Sequence, residues 1–200
     1  MGTQEKFLMG LELPTDPRWI NIAEKNIGEI LSDHAYCEQK AASSCISLII
    51  QYPDKDALVE MLTPVVGEEW SHFERVLEEI KKRGFSLGFP RKDEYVERLQ
   101  KIFKNGGSRD QLLIEKLLMN ALIEARSCER FHILWKQIAD EKLSTFYYEL
   151  MISEAGHYKN FLTLARQYWP EDKVSQRWKE WLEGEAEIIR TLTVRGDRIH

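Results

Sequence analysis

The sequence predicts an all-α fold: a four-helix bundle with one long central crossover and additional peripheral helices. Three observations lead there. Four long stretches carry apolar residues at helical spacing, each about 25–30 residues long, the length of a bundle helix. No stretch shows the strict alternation of a half-buried strand. One long connection, residues 84–108, separates the second long helix from the third.

The elements follow in order. A first helical stretch starts near Asp16-Pro17, with Asp as N-cap and Pro at the first helical position. It runs, with a break near Asn26–Gly28, to about Gln51, where Tyr52-Pro53 stops it. The second begins at Asp54–Asp56 and ends at Arg83-Gly84. Pro64 lies inside it and is expected to kink or divide it. GFSLGFP (84–90) reads as a loop and DEYVERLQKIFK (93–104) as a short amphipathic helix. NGGS (105–108) breaks the chain and offers Ser108 as a cap. The third long helix covers about 109–138 and the fourth runs from about Asp140 to Tyr168, closed by Trp169-Pro170. A polar last helix, about 171–193, carries Trp178 and Trp181 three residues apart, so one face packs on the bundle. The whole chain, 1–200, reads as one domain, with a core bundle at about 27–168.

Composition narrows the function classes. With 43% hydrophobic and 30% charged residues the chain reads as globular rather than disordered. No segment reaches the ~18–20 continuous apolar residues of a membrane helix, so no membrane role is expected. MGTQEKFLMGLELP lacks the basic start and apolar run of a secretory leader. Three cysteines without a CxxC pair exclude a disulfide scaffold and a cysteine-built metal site. Together these point to a cytoplasmic protein. The net charge is −5, yet residues 81–109 hold nine basic and three acidic side chains. That segment is either a solvated connector or a surface for a polyanion.

One pattern carries chemistry. Residues three apart share a helix face, so Glu-x-x-His aims a carboxylate and an imidazole in one direction. Three of the five histidines have Glu at that spacing, at Glu69/His72, Glu129/His132 and Glu154/His157, where composition alone predicts fewer than one. A weak internal repeat sorts them. SDHAYCEQKAA (32–42) matches IEARSCERFHI (123–133) when Cys37-Glu38 is laid on Cys128-Glu129. EEWSHFERVL (68–77) matches SEAGHYKNFL (153–162). Each helix pair then offers one Glu from its first helix and Glu-x-x-His from its second. The set is Glu38, Glu69, His72, Glu129, Glu154 and His157, the ligand pattern of ferritin-like di-iron and di-manganese carboxylate proteins. Carboxylates converging in a bundle repel unless cations neutralise them. Oxygen and imidazole donors suit iron or manganese. Ala41, Ala42 and Cys45 follow Glu38 and leave room beside it.

Glu124 is the rival of Glu129. Five residues turn a helix by about 500°, so the two cannot face one site, and the repeat favours Glu129. His132 matches Ala41 and reads as an outer or surface residue. His34, one turn before Glu38, is an outer residue of the site, a pocket residue or a satisfied buried histidine.

The wording of these motifs is similar to the MiaE family of bacterial tRNA hydroxylases. HAYCEQKAASSCISLIIQYP, LTPVVGEEWSHFERVLEEIKKRG, IEARSCERFHIL and SEAGHYKNFL carry the resemblance, which covers the four bundle helices. It implies a ferritin-like monooxygenase with two iron ions, O2 as co-substrate and an external electron donor, an electron-transfer protein or reductase. The implied reaction hydroxylates the isopentenyl group of 2-methylthio-N6-isopentenyladenosine beside the tRNA anticodon, and the implied ligands fall on the same six residues. The implied partner is the tRNA anticodon stem-loop, met by a monomer or dimer of this chain. Lys81, Lys82, Arg83, Arg91, Lys92, Lys101 and Lys104 are then the candidate phosphate contacts. A different class, a ferritin-like iron-binding or ferroxidase protein with no organic substrate, needs a cage that the central basic insert and fifth helix disfavour. A metal-free helical RNA-binding bundle leaves the ligand pattern unexplained.

Overall fold

The computed structural model describes residues 9–200, all of it helix, turn and loop with no strand among the described residues. Residues 1–8, the start of the stretch read for a leader, lie outside the described residues. The chain falls into two compact units. One holds Asn21–Lys92 and Arg195–Ile199. The other holds the chain up to Ile20, Asp93–Val194 and His200. Each unit contains one of the two helix pairs that the internal repeat delineates.

The first unit is built on α2 (Ile27–Gln51) and α3 (Asp56–Lys82). A short helix α1 (Trp19–Ala23) and a single 3-10 turn (Glu24–Asn26) precede them, so the expected break falls there. The regular helix is assigned from Trp19, two residues after Pro17, and Asp16 caps its first turn as the sequence predicts. The Asp16 carboxylate takes the Arg18 backbone N–H at 2.8 Å and the Arg18 guanidinium, which holds its pKa down to about 2. The α2–α3 link is four residues long and folds the helices into antiparallel neighbours. Ile30, Leu31, Ala42, Cys45 and Leu48 of α2 and Leu58, Leu62, Val65, Val76 and Ile80 of α3 form their core. Each large aliphatic side chain so buried contributes about 1.5–3 kcal/mol. That packing carries α3 through Pro64 undivided, despite the missing N–H.

The end of α3 is a Schellman turn. Phe85 N–H donates to the Ile80 carbonyl at 3.0 Å and Gly84 N–H to Lys81 at 3.0 Å. Gly84 has φ +72°, the left-handed value the motif needs. The C-terminal strip 195–199 returns to α2. Asp33 accepts from Arg198 Nη1 at 3.1 Å and from the Ile199 N–H at 2.8 Å, and Ile199 is fully buried.

The second unit contains α4 (Glu94–Ile102), α5 (Arg109–Gln137), α6 (Glu141–Tyr168) and α7 (Glu171–Thr191). Polar caps set their starts. Asp93 accepts from Val96 N–H, Ser108 forms a capping box with Gln111, and Asp140 accepts from Lys142 and Leu143 N–H. Helices α5 and α6 pack on one another, with Phe131 of α5 against Tyr147 of α6, ring centroids 5.3 Å apart. Trp181 of α7 is fully buried, as the polar helix with an aromatic face predicts, whereas Trp178 is half-buried. No helix among the described residues is long and apolar enough to cross a membrane.

Candidate metal centre

Each helix pair assembles a buried group of ligand-type side chains. In the first unit, Glu38 comes from the middle of α2 and Glu69 and His72 from the middle of α3. One ligand atom from each lies within 4.8 Å of the other two. His72 Nδ1 stands 3.5 Å from Glu38 Oε2 and 3.8 Å from Glu69 Oε2. All three are at most 5% exposed. His34, one turn before Glu38 and fully buried, contacts Glu38 Oε1 through Nε2 at 2.5 Å.

In the second unit, α5 contributes Glu124 and α6 contributes Glu154 and His157, again with ligand atoms within 4.8 Å. His157 Nδ1 lies 3.2 Å from Glu154 Oε2. These side chains are also at most 5% exposed.

The carboxylate from α5 in this group is therefore Glu124, where the repeat favours Glu129. Glu129 is occupied elsewhere. Its two oxygens accept from Thr15 N–H at 2.9 Å, Thr15 Oγ1 at 2.6 Å and Arg126 Nη1 at 3.1 Å. Arg126 also donates to Glu185 at 2.9 Å and to the Leu13 carbonyl at 3.0 Å. Arg130 reaches Thr15 Oγ1 from the other side and lies over the Trp19 ring. Burial opposes the charge on Arg126, but Glu185, Tyr95 and Glu129 outweigh it and raise its pKa. On Arg130, burial and the neighbouring Arg126 bring it down to about 10. Glu129 is thus part of a clamp that fastens the N-terminal segment to α5 and α7.

A signal in the sequence separates the two glutamates. Glu129 has Arg126 three residues before it on its own helix face, a built-in counter-ion. Around Glu124 the positions at −4, −3, +3 and +4 are Asn120, Ala121, Ser127 and Cys128. Glu38, Glu69 and Glu154 likewise have no Lys or Arg at those positions. A buried carboxylate without a basic helical neighbour needs its cation from elsewhere.

The other expected site residues divide. His132 is half-buried against Trp135 and stands outside both groups, its pKa lowered by burial and by Lys136. In the basic segment, Lys82 pairs with Glu78 and Glu79 and Arg83 with Glu79. Lys104 pairs with Glu180 at 2.6 Å. Arg91 is spent on the fold: it bonds Glu29 through side chain and carbonyl, and the Asp197 carbonyl at 2.9 Å. Lys81, Lys92 and Lys101 are exposed.

The donor chemistry fits divalent iron or manganese. Four carboxylates (Glu38, Glu69, Glu124, Glu154) and two imidazoles (His72, His157) supply only hard and borderline ligands, with no thiolate. Keeping four buried carboxylates ionised demands compensating positive charge.

Residues 3–200 match the family model described as MiaE: tRNA-(MS[2]IO[6]A)-hydroxylase. The chain belongs to the MiaE family. Two curated relatives, both tRNA 2-(methylsulfanyl)-N(6)-isopentenyladenosine(37) hydroxylases, bear this out. The one from Pseudomonas putida is 36% identical, the match covering 90% of this chain and 87% of the relative. The one from Salmonella typhimurium is 32% identical, covering 90% and 83%. Among solved structures, a protein with aldehyde deformylating oxygenase activity from Synechococcus superposes with a TM-score of 0.89 at 32% identity. It covers 95% of this chain and 94% of its own. The MiaE-family chain accordingly has the ferritin-like all-α fold that its helix pattern predicts.

Proposed function

We infer that this protein is an O2-dependent di-iron monooxygenase of tRNA. It hydroxylates the isopentenyl group of 2-methylthio-N6-isopentenyladenosine next to the anticodon. The observation that carries this reading is the pair of buried triads in a chain of the MiaE family: Glu38, Glu69 and His72, and Glu124, Glu154 and His157. In ferritin-like carboxylate proteins a Glu and a Glu-x-x-His from each helix pair form the ligand set. Glu124 takes the place for which the repeat proposes Glu129.

Two irons held there would supply the activation of O2 needed to oxidise an allylic C–H bond. The chain's own residues do the rest. The six side chains would hold the metals, and their burial keeps bulk water away. His34 holds one oxygen of Glu38 and thereby orients the other. The prenylated adenine must leave its stack to reach a buried centre, and exposed lysines such as Lys81 and Lys92 offer charge to the phosphates. The two electrons come from an external reductase or electron-transfer protein. A tRNA substrate and three cysteines outside any disulfide support a cytoplasmic location.

The test compares tRNA nucleosides from cells with and without the gene. Hydroxylated prenyl-adenosine should disappear on deletion, with its unhydroxylated parent accumulating. An identical nucleoside profile in both strains refutes the substrate assignment.

A further inference from the structure

The loop after α3 has a feature that metal binding does not use. Residues 81–92, KKRGFSLGFPRK, contain five basic and no acidic side chains, with two phenylalanines between them. Phe89 is 92% exposed, the most exposed large apolar side chain described. A single exposed apolar side chain is common in itself; Phe89 is distinguished by its place in a segment that also exposes Lys81 and Lys92.

Phe89 is presented by a loop that is tied down. The Schellman turn at Gly84 fixes where the loop leaves α3. Phe85 packs on Gly28 of α2 so closely that a Cβ there would meet its ring at 3.0 Å. Tyr36 Oη donates to the Gly88 carbonyl at 2.8 Å, immediately before Phe89. Arg91 then anchors the far side to Glu29 and to the Asp197 carbonyl. Pro90 restricts Phe89 to extended backbone. The aromatic ring therefore projects from a fastened loop, and little order remains to be gained on binding.

We propose that Phe89 is an RNA-stacking residue: its ring takes an unpaired base of the substrate loop, while Lys81 and Lys92 neutralise the adjoining phosphates. This rests on the tRNA hydroxylase reading and names a contact for it. A protruding ring in a segment that exposes Lys81 and Lys92 matches the way single-stranded nucleic acid is held, by stacking plus backbone charge. A protein partner seated on an apolar ring does not need the exposed Lys81 and Lys92 in the same segment.

The experiment measures binding of a prenylated anticodon stem-loop RNA by fluorescence anisotropy. It compares the parent protein with Phe89→Ala, Phe89→Trp and Lys81→Ala. A fully paired RNA hairpin of equal charge is the second probe. Phe89→Ala should weaken stem-loop binding about ten-fold or more, and Phe89→Trp should retain it. Neither should change binding to the paired hairpin. Lys81→Ala should weaken both probes and flatten the salt dependence. Thermal melting should be unchanged in Phe89→Ala, since the ring is exposed. If Phe89→Ala binds the stem-loop as well as the parent while hydroxylation persists, the stacking role is overturned and the enzyme reading stands. Equal loss on both probes also overturns it. Normal RNA binding with impaired reduction by a reductase assigns the ring to a protein partner instead. A parent protein that neither binds nor hydroxylates the stem-loop overturns the enzyme reading and the stacking role together.

Discussion

Glu129→Ala separates a structural carboxylate from a metal ligand. The side chain is 3% exposed and accepts three hydrogen bonds, two from Thr15 and one from Arg126. Removing one partner of a buried ion pair costs about 3–5 kcal/mol, because the other charge stays behind in a dry environment. Arg126 keeps Glu185 and the Leu13 carbonyl, which places the loss nearer the lower figure. For a chain of this length each kcal/mol moves the melting midpoint by about 2–4 °C, so the variant should melt about 6–12 °C lower. Glu129→Gln keeps an acceptor for Thr15 and should lose about 1–2 kcal/mol. Glu124→Gln should behave in the opposite way. It removes one buried negative charge, so the metal-free protein should melt no lower than the parent. Its iron content after anaerobic loading should fall from two per chain to one or less. Circular dichroism melts of metal-free protein and iron analysis of loaded protein check both. If Glu129→Ala melts normally but loses iron while Glu124→Gln keeps two irons, the assignment of the two glutamates is refuted.

Further outcomes follow from the same geometry. His34→Ala should weaken metal affinity about 10–100-fold, read by competition with a chelator, because Glu38 loses the group that orients it; unchanged affinity would contradict that role. Asp33→Ala removes the acceptor for Arg198 and the Ile199 N–H, and should cost about 3 kcal/mol, or about 6–12 °C in melting midpoint. In native protein, iodoacetamide should modify half-exposed Cys37 well before Cys45 or Cys128. Burial and the nearby glutamates push the Cys128 thiol up to about 12, so it stays protonated at neutral pH; mass spectrometry of the labelled peptides reads the order.

The helices were legible because each carries its own punctuation. Ser108, Asp140, Arg83-Gly84 and Tyr52-Pro53 each mark an end within a residue or two of where it falls. Asp16 likewise marks the first turn before Trp19, its carboxylate accepting the Arg18 backbone N–H. Pro64 was overridden by packing on both of its sides. The Glu-x-x-His pairs could be read because helical spacing alone aligns them. The α5 carboxylate could not be read from the repeat, since similarity of Cys-Glu pairs says nothing about which glutamate already owns a cation. Arg126 carried that information. The partner on the N-terminal segment, Thr15, lies 114 residues away from Glu129 in sequence, and no local pattern encodes such a contact. The basic segment illustrates the same limit. Its net charge is visible in composition, but the use of Arg91 to fasten Glu29 and Asp197 appears only after folding.

One measurement bears most directly on the reaction. Iron-loaded protein, a reductant and 18O2 are incubated with tRNA bearing the prenylated adenosine, and the nucleosides are analysed by mass spectrometry. The prediction is one 18O atom on the isopentenyl group, absent in Glu124→Gln and retained in Glu129→Gln. A parent protein that holds two irons per chain, consumes O2 and leaves the prenyl group unlabelled would contradict it.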